Sequence, residues 1–239
     1  MGFASIFKNN SAQDGQQIYN ALSLSMAVIE FAMDGKILTA NDNFLKTMGY
    51  KLEEVVGKNH SLFVPKEISS SDDYRRFWDQ LRAGKFSAGA VPRVKKNGEM
   101  LWLETTYNPI MGADGKPTKV VKFATDITER RVERALLQSV FSAIEKSQAV
   151  IEFDLKGNIL KANNNFLDVM GYSENEIVGK HHSMFVEKGQ RDTEEYRSFW
   201  QKLNAGEFQA GQFKRLGKGG REVWIEASYN PVLDPVGKP

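Results

Sequence analysis

The sequence contains no cysteine, and this absence excludes disulfide frameworks and thiolate metal sites. It also lacks an apolar run long enough to span a bilayer, and its first residues do not form the apolar core of a signal peptide. The net charge of +2 includes no tract of lysine and arginine, which argues against a nucleic-acid partner. Together these absences predict a cytoplasmic protein that neither inserts into a membrane nor binds nucleic acid.

Catalytic motifs are absent as well. The sequence has no phosphate-binding Walker loop, no HExxH zinc motif and no GxSxG nucleophile turn. Acidic residues such as Glu30 and Glu104 fall in strand-like segments, without a spacing that marks an acid–base pair. We therefore expect that the chain is not an enzyme.

The most informative positive feature is an internal repeat. Residues Ala27–Phe31 and Ala149–Phe153 both read AVIEF, and the same offset of 122 residues relates Met48–Tyr50 to Met170–Tyr172. About half of the aligned positions are identical, without insertion or deletion. A period of this length indicates two tandem globular domains rather than a solenoid of short repeats.

Each copy contains two short strand patterns, several short helical patterns and then further strands. The strongest helix is predicted over 72–82, where apolar residues recur at helical spacing before Gly84. This order indicates an α+β layer in which one face of an antiparallel sheet carries the helices. The predicted organisation is a flexible N-terminus over 1–14, a first domain over 15–128, a connecting helix over 129–148 and a second domain over 149–239.

The connecting helix is predicted from a run without glycine or proline that follows Thr128. Leu136, Val140 and Ile144 fall on one face of this helix. Such an apolar stripe suits pairing with a second helix, and the alternative is packing against its own domain.

Two strands, short helices, three strands and the triplet Asp126–Thr128 before a helix resemble a PAS domain. The runs 74–86 and 102–109 are similar to the paired PAS domains of soluble bacterial methyl-accepting chemotaxis transducers of the biofilm-dispersion and aerotaxis type. The resemblance implies two five-stranded antiparallel sheets, with Asp126 and Thr128 relaying a signal to the connecting helix. It implies sensing of a small ligand or cofactor, which regulates a C-terminal methyl-accepting signalling domain.

The partners that the resemblance implies are a second copy of the chain, bound through helices, and chemotaxis or signalling proteins, bound through that C-terminal domain. The alternative function is a PAS interaction or dimerisation module without a cofactor.

The histidines are the sharpest cofactor candidates. His60 corresponds to His182, and both precede the long helix of their domain, where some haem-binding PAS domains place an axial ligand. Trp102 and Trp224 are expected to face the same cavity. The cofactor is unknown, with haem b first and flavin second; without cysteine the photochemical flavin adduct is excluded. In the alternative, each histidine hydrogen-bonds its turn and each tryptophan fills the core.

Two further expectations concern asparagines and the end of the sequence. Four asparagines either supply polar groups to a cavity or, as is more common, form caps and turns: Asn41, Asn43, Asn108 and Asn230. Pro239 corresponds to Pro117, so the second copy lacks the residues matching Thr118–Thr128. We expect the second domain to lack its last strand, either because the sequence is trimmed or because a neighbouring chain supplies that strand.

Overall fold

The computed structural model of the chain describes residues 11–239, with side chains from residue 14 onward. The prediction of a flexible N-terminus therefore lies outside the described residues up to residue 10. From there the structure differs from the prediction, because helix α1 already begins at Ser11 and runs to Ser25. Asp14 lies in its first turn, where a negative charge interacts favourably with the helix dipole.

The first domain follows the predicted order of two strands, short helices and three strands. Its elements are β1 (Ala27–Ala32), β2 (Ile37–Ala40), α2 (Asp42–Met48), α3 (Leu52–Val55), a 3-10 turn (His60–Phe63), α4 (Lys66–Ser69), α5 (Asp72–Arg82), β3 (Ser87–Val94), β4 (Met100–Met111) and β5 (Pro117–Asp126).

Local sequence sets the helix boundaries. Asn41 and Ser71 cap α2 and α5, each accepting a hydrogen bond from the backbone N–H three residues later. Gly49 ends α2 with φ at 76°, a left-handed conformation that favours glycine.

The five strands form one antiparallel sheet in the order β2-β1-β5-β4-β3. The last strand of the domain is thus its central strand and pairs with both β1 and β4. One face of the sheet packs against the short helices, and the buried cluster between them includes Ile29, Phe44, Leu81 and Leu103. The predicted α+β fold is confirmed for this domain.

The second domain repeats the pattern with fewer strands. Its elements are β6 (Ile151–Phe153), β7 (Ile159–Ala162), α7 (Asn164–Met170), α8 (Glu174–Ile177), 3-10 turns at His182–Phe185, Lys188–Gln190 and Lys218–Gly220, α9 (Glu194–Asn204), β8 (Gln209–Leu216) and β9 (Glu222–Tyr229).

These four strands form two separate antiparallel pairs, β6-β7 and β8-β9. In the first domain the corresponding pairs are joined by β5. Pro239 corresponds to Pro117, the first residue of β5, so no printed residue corresponds to the rest of that strand. The expected shorter second sheet is therefore confirmed, because the strand that would join its two halves is not among the residues given.

Helix α6 (Thr128–Ser147) follows β5. The chain divides into two compact units between Ala135 and Leu136, within this helix. Among residues 11–239, none of the helices has both the length and the apolar character needed to cross a membrane.

Candidate functional site

The site in the first domain begins with the backbone of the 3-10 turn. The N–H of His60 donates to the Gly35 carbonyl at 2.9 Å, and the Asn59 side chain accepts from the N–H of Ser61. These bonds hold the turn against the β1–β2 connection and direct the imidazole inward, where it is 0% exposed.

Both ring nitrogens of His60 are hydrogen-bonded. Nδ1 lies 2.8 Å from Tyr74 Oη, and Nε2 lies 3.0 Å from Tyr107 Oη. The Arg93 guanidinium donates to the same Tyr107 oxygen at 2.7 Å. Because Tyr107 Oη accepts from Arg93, we assign its hydroxyl proton to the bond with His60 Nε2, which accepts it. His60 Nδ1 then carries the imidazole proton and donates to Tyr74 Oη. The result is a buried chain of four polar side chains: Tyr74, His60, Tyr107 and Arg93.

Burial and charge together keep this imidazole neutral. Desolvation holds the pKa of His60 well below its usual range, and the positive charges of Arg93 and Lys122 lower that pKa further. Burial also raises the pKa of Tyr107, so its hydroxyl keeps its proton at neutral pH. The network is therefore a fixed set of hydrogen bonds rather than a proton-releasing group.

The second domain contains the same network at the same offset. His182 Nδ1 lies 2.9 Å from Tyr196 Oη, and Nε2 lies 3.2 Å from Tyr229 Oη. Arg215 donates to Tyr229 Oη at 3.2 Å. Burial, with smaller effects from Arg215 and His181, lowers the pKa of His182 to about 3. All four members of the network are thus present in both copies.

Trp102 and Trp224, the two strand tryptophans, lie on the other side of the sheet from this network. On β4 the side chains of Leu101, Leu103 and Tyr107 are buried, whereas Trp102 is half-buried between them in the alternating pattern. The Arg131 guanidinium covers the Trp102 ring at 3.8 Å. The structure therefore places Trp102 and His60 on opposite faces, whereas we expected one shared cavity; strand alternation is the reason. Trp224 is 69% exposed.

The arrangement does not fit a haem. In each copy both imidazole nitrogens already contact tyrosine hydroxyls, so neither has a free lone pair for iron. The cavity beside His182 measures about 10 Å³, which is space for one water at most. Flavin, the second candidate, meets the same close packing. The haem assignment of His60, Trp102, His182 and Trp224 stays a prediction, and a Soret band in the purified protein is the observation that would support it.

The predicted relay residues connect the start of α6 to the neighbouring strand β4 through hydrogen bonds. Asp126 Oδ1 accepts from the backbone N–H of Thr128 at 2.9 Å and from its hydroxyl at 2.6 Å. The Thr128 hydroxyl in turn accepts from the backbone N–H of Trp102 at 2.8 Å, and Ile127 N–H donates to the Trp102 carbonyl. The first residue of α6 is therefore tied to the backbone near the start of β4.

The asparagines attach each domain to the helix that precedes it. Asn41 Oδ1 accepts from Val28 N–H and Phe44 N–H, both at 2.9 Å, which confirms the expected cap. Its Nδ2 donates to the Ser23 and Met26 carbonyls at and beyond the end of α1. One side chain thus joins β1, α2 and the end of α1.

The second copy has the same attachment. Asn163 accepts from Val150 N–H and Phe166 N–H and donates to the Glu145 and Gln148 carbonyls at the end of α6. The neighbouring Asn43 and Asn165 donate to carbonyls of the same helix ends.

Sequence reasoning missed the arginines and tyrosines of the network, although the repeat carried the signal. Arg93, Tyr74 and Tyr107 correspond to Arg215, Tyr196 and Tyr229 at the offset of 122. Their spacing along the chain matches no known catalytic or ligand motif, so only the repeat itself pointed to them. Lys122, which lies beside this network, has no counterpart in the printed sequence and gave no such signal.

Comparison with known proteins agrees with the fold. A family model described as "PAS domain" matches residues 25–129, and one described as "PAS fold" matches residues 159–239. These two matches cover well over half of the sequence. The chain belongs to the PAS family and contains two tandem PAS domains.

Among curated relatives, the biofilm dispersion protein BdlA of Pseudomonas aeruginosa is 46% identical over 218 residues, covering 91% of this chain and 52% of BdlA. The oxygen sensor protein DosP of Escherichia coli is 22% identical over 87% of this chain and 26% of DosP. The aerotaxis receptor of Escherichia coli is 25% identical over 45% of this chain and 21% of the receptor. The chain thus spans about half of BdlA and about a quarter or a fifth of the other two.

Proposed function

We propose that the chain is the sensory input part of a bacterial signalling protein. In this proposal, a small ligand or cofactor changes the interior of a PAS domain, and the sheet passes that change to α6. The similarity to BdlA, together with weaker similarities to an oxygen sensor and an aerotaxis receptor, supports a sensory role. As fold alone does not define function, the argument rests on how the interior connects to the helix.

The observation that carries the proposal is that β4 takes part in the buried histidine network and also in the hydrogen bonds that hold the start of α6. Its residue Tyr107 is hydrogen-bonded to His60 and accepts from Arg93 inside the domain. Five residues earlier, the backbone of Trp102 bonds to Thr128 at the start of α6. A ligand that moves Tyr107 therefore acts on the strand that holds the helix, and it shifts the population of helix arrangements only if it binds one of them better.

The output that we propose is a methyl-accepting chemotaxis signalling domain acting on chemotaxis proteins in the cytoplasm. This part of the proposal rests on BdlA, of which the chain covers 52%. We propose a binding rather than an enzymatic role for the chain, because the buried networks contain no carboxylate and hold His60 neutral.

Dimerisation through α6 is the second candidate function, and one observation favours it. Six large apolar side chains of this helix are 46–65% exposed. They are Val132, Leu136, Leu137, Val140, Phe141 and Ile144. A helix with such a face gains stability by pairing with a second copy. Light scattering that gives the mass of a monomer at all accessible concentrations would remove this candidate.

The relay is tested with Asp126→Ala in the 239-residue chain. Loss of the carboxylate removes two hydrogen bonds at the start of α6, so amide hydrogen exchange over residues 128–133 should rise about tenfold. Exchange in β1 should not change, because Asp126 makes no contact that holds β1.

The matched control is Asp114→Ala, which removes an aspartate that bonds the N–H of Lys116 in the exposed turn before β5. This variant should leave exchange in α6 unchanged. If α6 exchanges at the same rate in Asp126→Ala and in the unchanged chain, the proposed relay is wrong.

A further inference from the structure

Two cationic side chains lie inside the first domain without an acidic partner. Arg93 is 5% exposed and Lys122 is 1% exposed. Lys122 lies on the central strand β5, where its register partners are Ile29 and Tyr107. Its ammonium nitrogen lies 5.0 Å from the centre of the Tyr107 ring and 5.7 Å from that of Phe44. Both charges therefore face the interior that contains the histidine network.

The hydrogen bonds of the guanidinium are incomplete. Arg93 donates through Nη1 to the Pro92 carbonyl at 2.7 Å and through Nη2 to Tyr107 Oη, but its buried Nε has no partner. Among residues 14–239, no carboxylate lies within 4 Å of Arg93 or Lys122 as an ion pair. The interior thus has donors and positive charge but no negative charge.

A buried charge without a counter-ion is unfavourable, and only one of the two residues can lose its charge to avoid that cost. Lys122 can release its proton, and burial together with Arg93 holds its pKa well below the usual range. Arginine stays charged in proteins. A bound anion would satisfy Arg93 Nε and favour the charged form of Lys122. Among residues 14–239, no carboxylate forms an ion pair with Arg93 or Lys122.

We infer that the interior of the first domain binds a small organic monocarboxylate, one oxygen on Arg93 and the other on Lys122. This inference rests on the proposed sensing function and names its ligand class. A carboxylate suits the place because its two oxygens match two separate donors, while Ile29 and Phe44 offer apolar contact to a short tail. A dianion such as phosphate would have to lose more water to enter the same apolar walls.

The same contact links the ligand to the signal. Arg93 donates to Tyr107, and Tyr107 lies on the strand that holds α6. A carboxylate that draws the guanidinium towards itself weakens the hydrogen bond from Arg93 to Tyr107, so Tyr107 and the strand β4 change position. Opening of the close-packed interior is required for entry.

The second domain offers a matched internal comparison. Arg215 is also buried, bonds Tyr229 and has an Nε without a partner. Within the printed sequence it has no counterpart of Lys122, because that position would follow Pro239. We assign the carboxylate site to the first domain, where both cations are among the described residues.

The test is calorimetric titration of the 239-residue chain with sodium acetate, butyrate and hexanoate at constant ionic strength. The neutral butyramide serves as the uncharged probe. At least one carboxylate should bind saturably with 1:1 stoichiometry, and the amide should not bind. Arg93→Gln and Lys122→Met should each weaken that affinity roughly 10- to 100-fold, since each removes one charged hydrogen bond.

Two variants keep the outcome interpretable. Arg215→Gln is the control and should bind the carboxylate as the unchanged chain does. If Arg93→Gln does not fold, Arg93→Lys keeps the charge but lacks the free Nε, and it should also bind more weakly. No saturable binding by any of the three carboxylates overturns the inference, and so does equal binding by Arg93→Gln or Lys122→Met.

Hydrogen exchange in the same samples separates this inference from the proposed function. Carboxylate binding that depends on Arg93 but leaves exchange over residues 128–133 unchanged supports the site and counts against the relay. An intact effect of Asp126→Ala with no carboxylate binding supports the relay and overturns the site.

Discussion

The two PAS domains share their helices and their buried network, but among residues 11–239 only the first contains the strand that joins the two halves of the sheet. In the first domain β5 lies between β1 and β4, whereas in the second β6 and β9 have no strand between them among residues 11–239. Despite this difference, the tyrosine–histidine–tyrosine–arginine network forms in both. The network is therefore positioned by the 3-10 turn, the long helix and the outer pair of strands rather than by the central strand.

The central strand β5 changes how deeply the network is buried but not which side chains are hydrogen-bonded in it. Tyr107 is 2% exposed, but its counterpart Tyr229 is only half-buried. The bonds to Tyr229 Oη are both 3.2 Å, compared with 3.0 and 2.7 Å for Tyr107. We conclude that β5 strengthens an arrangement that the rest of the domain already specifies, because it excludes water from the polar atoms.

The largest difference in unfolding free energy between the domains is expected for the tyrosine that contacts both the histidine and the arginine, which is Tyr107 in the first domain and Tyr229 in the second. Tyr107→Phe leaves Arg93 and His60 Nε2 without their shared partner in a dry interior, at a cost of about 3 kcal/mol of unfolding free energy. Tyr229→Phe should cost about 1 kcal/mol, since its bonds are longer and water can reach them. Urea unfolding followed by hydrogen exchange of peptides from each domain measures both values.

The control is Tyr50→Phe, because that tyrosine packs against the core cluster and its hydroxyl makes no hydrogen bond within residues 14–239. Its effect should stay within about 0.5 kcal/mol. Equal losses for Tyr107→Phe and Tyr229→Phe would show that the central strand does not protect the network.

The asparagine attachment should behave alike in the two domains. Asn41→Ala and Asn163→Ala should each cost about 1–2 kcal/mol, because each removes a helix cap and two bonds to the preceding helix. Exchange at the end of the preceding helix should rise in both variants. Asn204→Ala, at an exposed helix end, is the control and should change little. A clear asymmetry between the first two variants would contradict the equivalence of the attachments.

The smallest expected effect is the pH dependence of stability. Both His60 and His182 have folded-state pKa values below the unfolded value of about 6.5, that of His182 being about 3. Below pH 6.5 the unfolded chain binds a proton that the folded histidine does not accept, so stability falls as pH falls towards the folded pKa. Between pH 7 and pH 5.5 each histidine should cost its domain about 1 kcal/mol.

Titration of the unfolding free energy in that window checks the sign. His60→Gln should flatten the pH dependence of the first domain only, and His182→Gln that of the second only. A rise in stability on acidification would mean that the imidazoles gain protons on folding.

Much of the fold was predictable because local signals and the repeat agreed. Capping residues such as Asn41 and Ser71, and glycines such as Gly49, mark helix ends through contacts within a few residues. The PAS resemblance implied a five-stranded antiparallel sheet, which the first domain has. The start of α1 was not predicted, since its first residues are polar and lack a clear apolar period.

The site was predictable only in part. The repeat singled out His60 and His182, and the triplet Asp126–Thr128 led to the junction with α6. The expected pairing of Trp102 with His60 failed because the face on which a strand residue lies depends on register, which an unbroken apolar run does not reveal. The partners of His60 lie 14 and 47 residues away along the chain, and no local pattern specifies them.

The sequence by itself determined a tandem pair of PAS domains, the capped ends of helices such as α2 and α5, the two histidines and the triplet that begins α6. These features depend on residue identity and on short spacings. Only the tertiary structure decided that both nitrogens of each histidine are occupied, that Trp102 faces outward, and that Arg93 and Lys122 share one interior. Those facts depend on strand pairing over long separations, where side chains distant in sequence meet and burial removes the water that would otherwise solvate them.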